Sequence, residues 1–401
     1  MDEFLHKHFR LFNERHLQLY RTIDVFDELI VFLRVFLTNC GVDILLMDKY
    51  RWNFRTYLCI FCLTSFVFSM VFTVYRHWTD WYAVMDSLSV SGIGFQGMIK
   101  MYSALKQKSY FQEKYLNIKT LHMRSTKHPK NNRSMMKCTL VILYLFRFFF
   151  VSYVIAGVAF FVLPFYVMVV RQEKSLVLPL ELPFVEPFSE TGYVITTVYH
   201  LVMVAMGIMG ILAADMGIMI LVLHIIGIVD VFMNNLEELD EILLQPELDA
   251  EHKQKKFTEI CKMHKEIIQY EEDLDSCYYN TVFVQVITSV SCLSLTLFVI
   301  YMTRDWTRLM FMLATFFQLL EFCMLGTALR VKNDHVIDAI YDCNWHLLTA
   351  SDKRRFAIML HRAQNPVEMT IGGISLLNME TFVEIMKTIY SYFAMMINFL
   401  E

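Results

Sequence analysis

Three charged residues, Glu380, Glu384 and Lys387, stand just ahead of an uncharged stretch, residues 388–400, at the end of this 401-residue chain. As a helix that stretch rises only about 20 Å, short of the roughly 30 Å of a hydrocarbon core, so a helix that crosses must take the charges with it. Charges in a spanning helix face protein or water, not lipid. At about 100° per residue, Glu380, Glu384, Lys387, Thr388, Ser391 and Asn398 share one arc of roughly 100°. Met395 and Asn398 sit on that face near its far end, and Phe399 lies at its edge. Two arrangements satisfy such a stripe. It packs against the chain's other helices, with Glu384 and Lys387 paired, or copies of the helix surround an aqueous pore, where apolar rings gate by dewetting and a polar ring eases a cation through.

Other ionisable residues fall inside apolar segments: Asp86, Lys100, Arg147, Asp215 and Glu321, with His200 and His224. Intramembrane charges mark functional sites by default, although some only tie helices together. Asp86 is one turn from the outside, where it meets water. Asp215 and Arg147 lie at similar depths and read as a structural pair. Cys59 and Cys62 have CxxC spacing but sit in an apolar span with no second ligand pair, so they read as packing and not as zinc ligands. The sequence holds no GxSxG, P-loop, HExxH or carboxylate-rich metal pattern. No catalytic residue, metal site or cofactor is expected.

The elements that position these residues follow from composition. With 56% hydrophobic and 19% charged residues and a mean hydropathy of +0.41, the chain is too apolar for an ordinary soluble protein. The apolar residues fall in blocks of bilayer-spanning length, at about 57–75, 82–104, 138–166, 193–224, 279–301, 308–330 and 379–400. This predicts an all-α, polytopic membrane protein with seven spanning helices. The formal net charge of −4 gives no basic excess for nucleic acid, so membrane lipid is the expected surrounding. The first twenty residues have mixed charge and no cleavable apolar core, which leaves insertion to the first span.

Lysine and arginine set the orientation. The N-terminal segment (1–56) carries eight, the loop at 105–137 nine, and the segments 230–278 and 331–365 five each; the alternate connections carry one or two. The N-terminus is therefore expected inside and the C-terminus outside. Residues 230–278 carry more acids than bases, but parity places them inside as a helical extension, either solvated or in contact with another subunit. The divisions are thus spans one to four at 57–229, that extension, spans five and six at 279–330, an inner segment at 331–378, and the final helix at 379–401. Residues 23–39 suggest an amphipathic helix at the inner interface. Pro179, Pro183 and Pro187 predict an irregular loop over the outer mouth. None of the nine cysteines falls outside, so no disulfide is expected, and the one glycosylation pattern, Asn132 with Ser134, lies in an inner loop.

The 27 methionines and 34 phenylalanines supply soft apolar surface suited to a small ligand. Most must face lipid or fill the core. The outer halves of span three (Tyr153, Gly157, Phe160), span four (Tyr199, Met203, Met206) and span six (Phe311, Thr315) are positioned to enclose a pocket, although each alone reads equally as packing.

In the last third, Tyr341, Trp345, the run from Arg362 to Pro366 (RAQNP), Gly372-Gly373, Phe382 and the run from Thr388 to Phe393 (TIYSYF) resemble the signature of insect odorant receptors. The resemblance covers about seventy residues closely, and the whole chain loosely in length, span number and inverted topology. It implies a heterotetrameric, ligand-gated, non-selective cation channel in the plasma membrane of a sensory dendrite. There an odorant-tuning subunit, bound by a small volatile molecule, assembles with a shared co-receptor subunit. It places Met395 and Phe399 at the gate, Asn398 as the polar ring, Ser391 along the pore, and the inner parts of helices four to seven in a central anchor. Met395 and Phe399 are bulkier than the aliphatic residues of a co-receptor, and the chain is shorter than one, so a tuning subunit fits better. Gustatory receptors share the architecture, but their terminal pattern is absent. A G-protein-coupled receptor would have the opposite charge bias and an NPxxY motif, and a secondary transporter would show repeat symmetry and broken helices.

Overall fold

The computed structural model describes residues 22–42, 53–172, 174–245, 247, 249–304 and 308–398. Within them the chain is a bundle of α-helices: α1 (Thr22–Asn39), α2 (Phe54–Arg76), α3 (Trp81–Ser89), α4 (Ser91–Lys106), α5 (Lys108–Ser125), α6 (Pro129–Arg171), α7 (Glu190–Leu243), α8 (Ala250–Thr303), α9 (Leu309–Asp342), α10 (Ala350–Ala363) and α11 (Met379–Asn398). A short antiparallel hairpin, β1 (Thr370–Ile371) and β2 (Ser375–Leu376), precedes α11 and turns through Gly372 and Gly373, both at positive φ.

Among the described residues α2, α6, α7, α8 and α9 are long and apolar enough to cross a membrane. This is a polytopic, all-α membrane protein. α7 and α8, at 54 residues each, rise about 80 Å and so extend far beyond any bilayer. The apolar stretch of α7 is 78% buried, whereas that of α6 is 22% buried. α7 is thus the central helix, and α6 leaves Val151, Ile155, Val158 and Val162 facing outward. α1 packs an apolar face, including Phe26, Leu29 and Leu33, into the larger core, and its Phe32 ring meets Phe146 at 5.0 Å and Phe150 at 5.4 Å on α6.

Side chains cap the helix starts. Asn53 accepts from the Thr56 amide at 2.9 Å, Asp80 from Tyr82 at 3.0 Å, Ser189 from Gly192 at 3.1 Å and Asn378 from Thr381 at 2.8 Å. The block expected as one span at 82–104 is two helices, α3 and α4, meeting at Val90. The local run Ser-Val-Ser-Gly-Ile-Gly (89–94) is poor helix sequence, and Gly92 lets α4 approach α8 so closely that a Cβ would lie 2.5 Å from Cys292 Sγ.

Candidate functional site

The core divides into a large cluster and a smaller one, at the end expected to be outer, built on Phe66, Met70, Leu178, Leu180, Met203 and Val204. Beside the outer cluster lies a cavity of about 80 Å³. α6 contributes Tyr153, Ala156, Gly157 and Phe160, spaced to share one helix face; α7 contributes Met203, Val204, Gly207 and Ile208; α9 contributes Phe311, Ala314, Thr315 and Gln318. Phe66 of α2, Ile93 and Gln96 of α4 and Cys292 of α8 also line it. Of the eight residues expected from sequence, six therefore line one space: Tyr153, Gly157, Phe160, Met203, Phe311 and Thr315. The other two do not. The Tyr199 hydroxyl donates to Ser65 Oγ at 3.1 Å, and Met206 faces an adjoining cavity of about 60 Å³ lined by Cys40, Cys59, Cys62 and Lys100.

Polar groups on the cavity wall are mostly satisfied within the protein. Thr315 Oγ1 donates to the Phe311 carbonyl at 3.1 Å, and Gln96 Nε2 to Thr288 Oγ1 at 2.8 Å. At the inner end, Tyr153 Oη and Gln318 Nε2 both donate to Asp215 Oδ2, at 3.0 and 2.7 Å, while Lys100 Nζ donates to Oδ1 at 2.5 Å. Asp215 is 1% and Lys100 4% exposed. The pairing expected from sequence, Asp215 with Arg147, gives way to Asp215 with Lys100, because α4 lays Lys100 directly against α7; the Arg147 guanidinium lies over the Tyr144 ring at 5.8 Å. Depth alone could not choose between the two bases. A guest thus meets chiefly apolar wall, which selects by shape.

The proline-rich loop does more than cover the bundle. Val177, Leu178 and Leu180 are buried, and Leu178 reaches the cavity wall. Non-helical backbone at such depth must be satisfied by protein. The Leu178 amide donates to His200 Nδ1 at 3.4 Å, the Glu181 amide to Thr73 Oγ1 at 2.7 Å, and Ser69 Oγ to the Glu181 carbonyl at 2.7 Å. The Glu181 carboxylate binds Arg76 at 2.9 Å and His77 at 3.0 Å. Asp86, read as meeting water, is partly exposed and also pairs with Arg308 at 2.5 Å. Sequence gave no sign that Leu178 would join the cavity, since loop hydrophobes carry no periodicity.

The second candidate lies on α11. Phe382, Ile385 and Ile389 form its buried face, with Phe316 of α9 meeting Phe382 at 5.6 Å and Tyr301 of α8 meeting Phe393 at 5.9 Å. Glu384, Lys387, Thr388, Ser391, Met395 and Asn398 all point away from the rest of the chain. Thr388 and Ser391 donate their hydroxyl protons back to Glu384 and Lys387 carbonyls, each at 2.9 Å, which leaves their oxygens outward as acceptors. Phe399 and Glu401 lie outside the described residues.

A protein-family profile described as "7tm Odorant receptor" matches residues 80–390. Odorant receptor 83c of Drosophila melanogaster is 22% identical over 386 residues, covering 93% of this chain and 97% of that one. Odorant receptor 10 of Aedes albopictus is 26% identical over 137 residues, covering 33% of this chain and 36% of that one. Among solved structures, the olfactory receptor OR5 from Machilis hrabei in complex with eugenol matches with a TM-score of 0.77 at 14% identity, covering 94% of this chain and all of that one. A second structure of the same receptor gives a TM-score of 0.72 at 14% identity, covering 91% of this chain and 98% of that one. At such identity the likeness is one of fold.

Proposed function

The chain belongs to the insect odorant receptor family, and we propose that it is the odorant-tuning subunit of a ligand-gated, non-selective cation channel. Membership makes it a receptor and not an enzyme. In this reading a small volatile molecule occupies the outer cavity. Seven helices cross the plasma membrane, counting α3 with α4 as one and α11 as the last. The inner ends of α7 to α9, with α10 and the start of α11, form a cytosolic anchor for a heterotetramer with a co-receptor subunit.

The observation that supports this most is the joining of Tyr153, Gly157, Phe160, Met203, Phe311 and Thr315 around one largely apolar space. The Machilis hrabei receptor, alike in fold, is described in complex with eugenol, a small and largely apolar molecule. The outward stripe of α11 supports the pore: Ser391 and Asn398 would meet permeating cations, with Met395, and Phe399 beyond the described residues, at the gate. An apolar ring closes by dewetting and a polar ring replaces part of an ion's hydration.

The test is current recorded with and without a co-receptor subunit against a panel of volatiles. Agonist-evoked current should require the co-receptor. Met203→Ala and Phe311→Ala should each raise the half-maximal concentration about tenfold at unchanged surface expression, the size expected for lost apolar contact. If both leave dose-response curves in place, the ligand binds elsewhere.

A further inference from the structure

A second cavity of about 190 Å³ lies between α6 and α9, on the side of the first that faces away from the bundle's centre. The two share Tyr153, Ala156, Ala314 and Gln318, so these four residues are the partition between them. Its remaining lining includes Ile155 and Leu313, which are 53% and 37% exposed on the apolar outward face of the bundle. Two aromatic pairs bracket the opening. Phe160 and Phe311 meet edge-on at 6.0 Å at the outer end, and Phe148 and Phe317 at 6.4 Å at the inner end. From 148 to 160 a helix rises about 18 Å. Across that window the facing residues at the centre are two alanines, Ala156 and Ala314, which leave a gap where larger side chains would close the seam. The inner edge is tied, because Tyr153 of α6 and Gln318 of α9 hydrogen-bond the same Asp215 oxygen.

We propose that this α6–α9 window is a lateral portal through which apolar ligands dissolved in the bilayer reach the inner cavity. Its occupant is the same small apolar molecule the inner cavity takes, because only the four shared residues, with the two alanines at their centre, separate the two spaces. Small apolar solutes concentrate in lipid by the same transfer free energy that draws them out of water, so a portal on the lipid face draws on the richer source. The dense packing of Val177, Leu178 and Leu180 above the cavity leaves the water-facing side the more obstructed. The portal rests on the outer cavity being the ligand site.

The test uses channels assembled with a co-receptor subunit and, as probe, the most potent agonist from a panel of aliphatic alcohols, esters and phenols. Ser152, which lines only the lateral cavity, is changed to cysteine and modified with N-benzylmaleimide, with wild type treated in parallel to subtract reaction at native cysteines. Leu313→Trp is the independent variant. Current onset and washout should both slow about tenfold while the half-maximal concentration stays within about twofold, since an obstacle on a path raises the barrier in both directions and leaves the end states alone. An unchanged time course, with modification verified by mass, overturns the portal. So does a change in ligand-free current without a change in time course, which would assign the window to a lipid acyl chain. Failure of the underlying reading looks different, because Met203→Ala and Phe311→Ala would then leave the half-maximal concentration unmoved.

Discussion

Asp215 holds three donors from three helices, Lys100 of α4, Tyr153 of α6 and Gln318 of α9. Taking away its charge leaves a buried ammonium with no compensating carboxylate bonded to it, a change that costs roughly 3–5 kcal/mol in buried pairs. Asp215→Asn should therefore lower the thermal midpoint of detergent-solubilised protein, followed by fluorescence-detected size exclusion. Replacing both partners, as Asp215→Leu with Lys100→Met, should recover most of the loss, because a buried pair contributes little over well-packed apolar groups of similar volume. A double variant no better than Asp215→Asn would mean that the bonds to Tyr153 and Gln318, rather than the charge, are what stability depends on. The residue types at this site were legible as intramembrane charges. The partner was not, since a helical sequence fixes depth but not which neighbour lies against it.

At the scale of elements, the apolar blocks locate α2, α6, α7, α8 and α9 because a bilayer demands a length that few other constraints produce. The α3–α4 break escaped notice because both halves are apolar and only Gly92 and Gly94, in the first turn of α4, mark the junction. α11 was legible through its stripe, and the structure gives a reason for the stripe beyond polarity. Its buried face is narrow, the aliphatic and aromatic side chains of 382, 385 and 389, and Gly326 of α9 lets the backbone at Leu377, just before α11, come so close that any Cβ there would overlap its carbonyl. α11 is thus fastened at its start and along one edge, with the other edge free for another subunit or for water. Single cysteines from 388 to 398 separate these. Modification by a small charged thiol reagent during agonist application should peak at Ser391, Met395 and Asn398, and Asn398→Leu should lower conductance, because an apolar ring does not replace lost hydration. The partner subunit will dilute each effect, so the comparison is with wild type beside the same partner. Uniform protection at the three positions, with normal evoked current, would place the pore on another element.

For the whole molecule, the sequence leaves one discordant segment, since residues 230–278 carry an acidic excess where the positive-inside bias wants bases. The fold resolves the discord locally. Asp230 pairs with Lys332, Asp273 with Lys114 at 3.1 Å, Glu238 with Lys256 at 2.6 Å and Glu272 with Arg362 at 3.9 Å. Three of these four acids meet bases from other segments expected on the inner side: Lys332 near the inner end of α9, Lys114 of α5 and Arg362 of α10. The acidic extension is therefore the counterpart of the basic loops, gathered with them at one end of the bundle, and it does not compete with them for the outer face. The proline-rich loop with Glu181, Arg76 and His77 lies at the opposite end, beside the Asp86–Arg308 pair. In the proposed topology an even number of crossings between the first basic segment and α10 keeps the cluster on one side, and α11 then carries the chain across once more. An epitope placed after Glu401 should accordingly stain intact cells, while one placed before Met1 or within 127–132 should stain only after permeabilisation. An epitope after Glu401 that stays dark until permeabilisation would remove α11 as a crossing and, with it, the pore assigned to its outward face.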